Sequence, residues 1–409
     1  MKKMTRFFAI AALSAVIAFG TTACDTSLPA LDDIPGGNRL PPPPSVIFDD
    51  EDANREGDWL WIEGGSAADA GAGAGAGTAT IVGYIGLDGH VNIPAVLGGF
   101  PVTAIERPAA EWHYLDDGTL VVTDFVWPPV FGGGTLTSVS IPDSVTVIGA
   151  GAFSWNQLTR VDIPLGVTLI GASAFSGNGL TSVDIPQGVR VIGAGAFSWN
   201  QLESLDIPHG VRAIGENAFV WNRLAALSIP QSVTYIGDAA FAWNQLDSVV
   251  IPDGVTAISW QAFSHNRLTS VSIPDGVTSI GQTAFAGNLL ASVRIPDSVT
   301  SIGEGAFQNN RLAYVTIPAS VTSIGAGAFG SPAAWTDGAI HQDRYLASVT
   351  FEGGINPNNI GESRLQFSGA GLVSVWHCAF QGNLRERFAS GGPGTYIRQP
   401  GGENWERQD

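Results

Sequence analysis

Between Leu136 and Phe329 the apolar residues return to the same places every 22 residues, and no copy gains or loses a position. In the copy that begins at Leu158, the residues Leu158, Val161 and Ile163 form an L-x-x-V-x-I pattern, with Val and Ile two apart and a polar residue between them. That spacing predicts a strand with one buried face, because successive strand side chains point to opposite sides. Pro164 has no N–H to give to a ladder, so the strand ends there in a turn. The same Ile-Pro step recurs at Ile141, Ile163, Ile185, Ile207, Ile229, Ile251, Ile273, Ile295 and Ile317. A second short apolar pair, Val167 and Ile170, stops at Gly171. Gly stands at this place in eight of nine copies, Ser259 being the exception, which points to a backbone position with φ > 0. Ala174 and Phe175 then close the coil in a predicted helical or 3₁₀ turn, the ring filling the space between two strand layers.

Self-similarity at this period is the mark of a solenoid, in which each coil buries its apolar side only against its neighbours. The expected fold is a mainly β, right-handed repeat solenoid of eleven to twelve coils with short helical or 3₁₀ turns. Nine full copies occupy residues 136–333. Before them, residues 78–135 read as a capping repeat with an aromatic insert carrying Trp112, His113, Tyr114, Phe125 and Trp127. Such a loop either covers the open end of the stack or binds a partner. Residues 24–77 are acidic and rich in Pro, Gly and Ala, and are expected to be a disordered tether. Residues 1–23 read as a signal peptide, with Lys2, Lys3 and Arg6 ahead of an apolar run too short to span a membrane. After the array, residues 334–388 hold an insertion and degenerate repeats, in which Cys378 reads as a core thiol. Residues 389–409 are expected to form a hairpin cap over the last coil.

Charge narrows the partners. The formal net charge of -18 argues against nucleic acid, whose binding rests on basic side chains that neutralise phosphates. With two Cys and six scattered His, no metal-ligand or catalytic spacing appears, and neither an enzyme nor a cofactor is expected. Two repeat positions stand out. The first is the residue two places after the closing Phe, which is Trp155, Trp199, Trp221 and Trp243, with Gly177 interrupting the row and His265 ending it. With Arg223 and Arg267 two residues further on, this row is the candidate partner-binding edge, since Trp and Arg dominate binding hot spots. The bland alternative is that each indole packs on the next coil. The second position holds Asp162, Asp184 and Asp206 side by side, a weak candidate for a bound Ca²⁺ and more simply a solvated row.

The pattern LTSVxIPxxVTxIGxxAFxxN resembles the BspA-like leucine-rich repeat of bacterial surface proteins. In that family a Cys or Gly is common where Asn156, Asn178, Asn200, Asn222, Asn244, Asn266, Asn288 and Asn310 stand here. An Asn ladder can bond loop backbone in successive coils in its place. Thr21-Thr22-Ala23-Cys24 resembles a bacterial lipoprotein cleavage site, which makes Cys24 the lipidation candidate and implies an exported chain held to the cell envelope through that anchor alone. The resemblance further implies a non-enzymatic, adhesin-like protein that recognises host matrix or bacterial surface proteins. The alternatives are a structural or assembly protein of the envelope, and glycan binding through the Trp row.

Overall fold

The computed structural model describes residues 54–63, 77–84, 89–105, 113–114, 120–121, 130–131 and 134–330, and after them 333–336, 339–342, 346–353, 365–368, 371–375, 392–398 and 405–408. They belong to two compact units, residues 1–178 and 179–409, each built of parallel β-solenoid coils 22 residues long. The signal segment, Cys24, the glycine-alanine run at 71–76, Trp112, Phe125, Trp127 and Cys378 lie outside the described residues.

The second apolar pair of each coil carries the longer ladders. In the first unit Phe100–Ile105, Val147–Ile148 and Leu169–Ile170 pair in parallel, one after another. In the second unit Val191–Ile192, Ala213–Ile214 and Tyr235–Ile236 form one ladder, and Ala257–Ile258, Ser279–Ile280, Ser301–Ile302 and Ser323–Ile324 form another. The L-x-x-V-x-I segments of the array pair only in short pieces, such as Ser204–Asp206 with Ala226–Ser228 and Ser248–Val250 with Ser270–Ser272. Proline explains the difference. It follows every Ile of the first segment and withdraws an N–H, whereas the second pair is flanked by Thr and Gly donors, as in Thr168 N–H to Thr146 O (2.9 Å) and Gly171 N–H to Ile148 O (2.8 Å).

Two expectations about the turns are corrected. The closing turn is not helical: among the described residues there is no helix. The residue two places before each Phe has a left-handed φ, for example Ser173 (55°), Asn217 (56°) and Ala239 (51°), and a left-handed residue breaks a right-handed helical turn. Instead, alternate residues of the turn donate to the next coil, as Gly195 N–H to Glu216 O (2.7 Å) and Phe197 N–H to Ala218 O (2.9 Å). The Gly of the Ile-Gly step, in turn, is not among the residues with positive φ. It is required by close approach: a Cβ on Gly171 would lie 2.6 Å from Ala150 N, and one on Gly303 would lie 2.5 Å from Gln282 N.

At Ser259, the one copy with a Cβ at this step, strand pairing lapses while the rings stay stacked. No pairing joins Tyr235–Ile236 to Ala257–Ile258, nor Ala226–Ser228 to Ser248–Val250. Side chains bridge the gap: the Ser259 hydroxyl donates to Ile236 O, Asp238 Oδ1 accepts from Trp260 N–H (3.0 Å), and Gln231 Oε1 accepts from Asp253 N–H (3.1 Å).

The core is a ladder of buried phenyl rings. Phe131, Phe153 and Phe175 stack at 4.9 and 5.3 Å in the first unit. Phe197 to Phe329 stack at 5.3 to 5.8 Å in the second. That makes ten rungs among the described residues, against the eleven to twelve coils expected. Beside it runs the Asn ladder. Asn244 donates from Nδ2 to Phe219 O (2.9 Å) and Phe241 O (3.3 Å), and its Oδ1 accepts from Leu224 N–H (3.0 Å). Each buried Asn thus ties its own turn to the coil before it.

At the N-terminal end the expected tether is shorter than 24–77. Asn54–Glu56 and Trp59–Glu63 form an antiparallel hairpin that pairs with Ala79–Tyr84. The alternation of Trp59 and Trp61 made this possible: Trp61 is buried against Phe100, and Trp59 lies against Tyr84 and Phe131. At the other end Gly394–Arg398 and Trp405–Gln408 form a hairpin whose first strand pairs with Ser348–Phe351, burying Tyr396 and Trp405 completely.

Candidate interaction edge

The Trp row is placed by the closing turn. Trp155, Trp199, Trp221, Trp243 and His265 occupy the turn's second left-handed position, with φ of 55°, 56°, 57°, 57° and 53°. Gly177 and Gly287 take the same conformation without a side chain. A bulky residue there is strained. In the second unit the rings stack face to face: Trp199 on Trp221 at 5.1 Å, Trp221 on Trp243 at 4.5 Å, and Trp243 on His265 at 3.9 Å and 7°. The two glycines of the row are then explained. A Cβ on Gly177 would meet Trp155 Cε3 at 2.4 Å, and one on Gly287 would meet His265 Cδ2 at 3.1 Å.

The indoles are therefore packed and open at once. Trp199, Trp221 and Trp243 are half-buried, and Trp155 is 41% exposed. None of the three stacked indole N–H groups donates to a protein acceptor or is sealed from solvent. A fourth ring, Trp260, packs with Trp221 and Trp243 against Val220, Ala239 and Ala242. Sequence reasoning missed it because it stands at another repeat position, directly after the irregular Ser259. Its only signal was that Trp replaces the Ala, Glu, Asp or Gln of the other copies.

His265 ends the row and is half-buried. Its Nδ1 is sealed from solvent without a hydrogen-bond partner, and burial holds the imidazole pKa down to about 4. Arg223 is half-buried and Arg267 exposed, and neither has an ion pair among the described residues.

The aspartate row is exposed. Asp162 is bonded by Arg160 at 2.9 Å, and Asp206 lies opposite Ser228 in the next coil. No cluster of three or more His, Cys, Asp or Glu with metal-holding geometry occurs among the described residues.

The sequence profile described as "BspA type Leucine rich repeat region" matches residues 128–245 and 212–334 in 6 copies, just over half of the chain. The chain belongs to the BspA-type leucine-rich repeat family. Within that family's coil, its Asn ladder and left-handed Trp row are the features that set the closing-turn edge. Similar solved structures include a leucine rich cell surface protein from Faecalibacterium prausnitzii, 25% identical over 74% of this chain and 95% of that one, with a TM-score of 0.39. The pneumococcal vaccine antigen PcpA is 18% identical over 74% of this chain and 82% of its own, with a TM-score of 0.47. A leucine-rich repeat protein from Bacteroides ovatus is 22% identical over 70% and 86%, with a TM-score of 0.38. No curated protein matches this chain.

Proposed function

We propose that this BspA-type protein is an exported, non-enzymatic binding protein of the bacterial cell envelope, anchored through an acylated Cys24. It engages another macromolecule along the closing-turn edge that carries Trp199, Trp221, Trp243, Arg223 and Arg267. One observation carries this reading: three consecutive indoles are held at φ of 56° to 57°, where Gly177 and Gly287 meet the same turn without strain. Such a residue costs on the order of 1 to 3 kcal/mol, and ring stacking offsets about 0.5 to 1.5 kcal/mol per pair. Stacking and partial burial hold the three indoles in that conformation, so their uncovered edges are presented in a fixed geometry. Their edges and N–H groups face solvent beside unpaired guanidinium groups, which is the composition of a binding hot spot. Glycan binding is the weaker reading, because sugars stack on open ring faces and these faces are covered by one another.

The test is solid-phase binding of the mature chain to fibronectin, fibrinogen, intact bacterial cells and a glycan array, with Trp221→Ala/Trp243→Ala as the comparison. Loss of binding by a factor of about 30 or more, roughly 2 kcal/mol, supports the edge. A double variant that binds normally sends the site elsewhere. The anchor is tested separately: Cys24→Ala should move the protein from the membrane to the soluble fraction, and retention in the membrane would remove the lipoprotein reading.

A further inference from the structure

One turn of the second unit is basic in a chain that is otherwise acidic. The residue after the buried Val of the second strand pair is Thr in seven of nine copies, and Arg in the two adjacent copies that hold Arg190 and Arg212. In these coils and the next, the residue after Pro, which is Asp in four other copies, is Gln187, His209 and Gln231. Positive charge is gained where negative charge is lost. Arg212 N–H donates to Arg190 O at 2.8 Å, so the two arginines stand on neighbouring rungs, about 4.8 Å apart along the stack, where like charges repel. Both are exposed, and neither guanidinium has an ion pair among the described residues. Arg160 and Arg294, by contrast, are paired with Asp162 (2.9 Å) and Asp275 (2.6 Å). Arg190 Nη1 donates to Gln187 O at 3.0 Å and lies over Gly210, whose missing Cβ would collide with it. That brings the guanidinium to the turn that carries the exposed His209 and leads into Arg212. The acids of the same two coils are separated from the arginines by buried positions, Asp184 by Ile185, Asp206 by Ile207 and Glu216 by Ile214.

Beside the arginines the second-strand ladder sets Val191, Ala213 and Tyr235 in register. Val191 is 42% exposed and Tyr235 50%, and no ring stacks on Tyr235 among the described residues. The backbone groups of this ladder are already paired, so an acidic peptide would find no strand edge to extend. A polymer that binds through ring faces and charged substituents needs none. We infer that this face binds an acidic polysaccharide, one whose sugar rings bear carboxylate or sulfate groups. Arg190 and Arg212 take the anionic substituents, which guanidinium groups bind with two parallel N–H bonds. Tyr235 lies against a sugar ring, and His209 adds a hydrogen-bonding group beside it. The net charge of -18 repels such a polymer at a distance, and physiological salt confines that repulsion to about 8 Å. The site uses repeat positions other than those of the Trp row, so it goes beyond the edge proposed above and does not depend on it.

Binding of the mature chain to hyaluronate, dextran sulfate, uncharged dextran and poly-L-glutamate at physiological salt tests it. The expected result is binding to hyaluronate if the anion is a carboxylate, or to dextran sulfate if it is a sulfate, with none to dextran. Arg190→Gln/Arg212→Gln should weaken that binding by about tenfold or more, and Tyr235→Ala should weaken it as well. Arg160→Gln/Arg294→Gln, which removes the same charge elsewhere, should leave it unchanged, and so should Trp221→Ala/Trp243→Ala. All the residues changed on this face are exposed, and urea unfolding verifies that each variant is folded. Failure to bind either acidic polysaccharide overturns the inference, as does equal binding to dextran or an equal loss in Arg160→Gln/Arg294→Gln. Binding to poly-L-glutamate as tight as to the polysaccharide, or a Tyr235→Ala variant that binds like the parent, overturns it too, because the face would then recognise charge without sugar. Loss of polysaccharide binding in Trp221→Ala/Trp243→Ala would place the sugar on the Trp edge and overturn this site alone.

Discussion

Gly303 sits where two coils touch backbone to backbone, and Ala at this position places a methyl carbon where there is no space. Its Cβ would stand 2.5 Å from Gln282 N, 2.7 Å from Gly281 C and 2.9 Å from Gln282 Cα. All three obstacles are backbone, so the coil itself must move away. Movement breaks the two bonds that join the coils here, Gly303 N–H to Ile280 O (2.8 Å) and Thr300 N–H to Thr278 O (2.9 Å). Each contributes about 1 kcal/mol net, and forcing atoms into a packed interior costs about 1 to 3 kcal/mol. A stiffer unfolded chain returns about 0.4 to 1 kcal/mol. Gly303→Ala should therefore destabilise by about 2 to 4 kcal/mol. Ser259→Ala, at the equivalent place in its own coil, removes only a hydroxyl from a step that has already opened and should cost about 1 kcal/mol or less. Urea unfolding reads both, with the slope unchanged if only native stability moves. Amide exchange at Thr300 and Gly303 should accelerate in the first variant. Because Gly303 is not in a left-handed conformation, a neutral or stabilising Gly303→Ala would refute close approach as the reason for the glycine, and so would a Ser259→Ala loss of equal size.

Two further outcomes follow from the core and from the row. Phe219, fully buried between Phe197 and Phe241 at 5.5 Å on each side, should cost about 3 to 5 kcal/mol when replaced by Ala; a loss below about 1 kcal/mol in urea unfolding would mean the rungs do not bear on one another. His265 has its pKa lowered to about 4, so the unfolded chain takes up a proton below about 6.5 while the folded chain does not until about 4. Stability is intact above that window and falls as pH drops through it, by at most about 3 kcal/mol. His265→Trp, which repeats the Trp155 and Gly177 arrangement next to Gly287, should remove this component, and identical stability profiles of variant and parent between pH 7 and pH 4 would show that the ring titrates freely.

The coil was legible in the sequence because its period is exact in length and its apolar positions are redundant. Each wrong entry in nine is outvoted by the others. What the repeat could not convey was which of its two strands holds the sheet. Hydrophobic spacing marked L-x-x-V-x-I more strongly, but hydrogen bonding favours the segment with free N–H groups on both sides, and Pro removes one from the first. The glycine was legible as a constraint and misread as to kind. A recurrent Gly satisfies either a positive φ or a close approach, and only the neighbouring coil's backbone, 2.5 Å from the missing Cβ of Gly303, distinguishes them. The true left-handed positions were half hidden: Gly151, Gly195, Gly305 and Gly327 mark the first and Gly177 and Gly287 the second, but Ser173, Asn217, Ala239, Gln261 and the Trp row fill them elsewhere with residues that do not announce it.

The same reasoning explains why the irregular coil matters to the edge. Copies differ most where stacking does not force them to agree, so departures from the repeat are where this chain differs from a generic solenoid. Ser259 and Trp260 are the largest departure in the middle of the array. The first coincides with a break in the second-pair ladder, and the second lays an extra indole on the Val220, Ala239 and Ala242 cluster that Trp221 and Trp243 also cover. The coils across this step stay joined on the closing-turn side, through Ala239 N–H to Trp260 O (2.7 Å), Phe241 N–H to Ala262 O (3.0 Å) and Trp243 N–H to Ser264 O (3.0 Å). The same bonds recur in other coils, as Asn217 N–H to Asp238 O (2.7 Å) and Phe219 N–H to Ala240 O (2.9 Å), so the turn that bears the aromatic edge keeps its bonding where the strand ladder lapses. The stacked indoles are therefore held in register on the side of the coil whose backbone bonds continue through the irregular step.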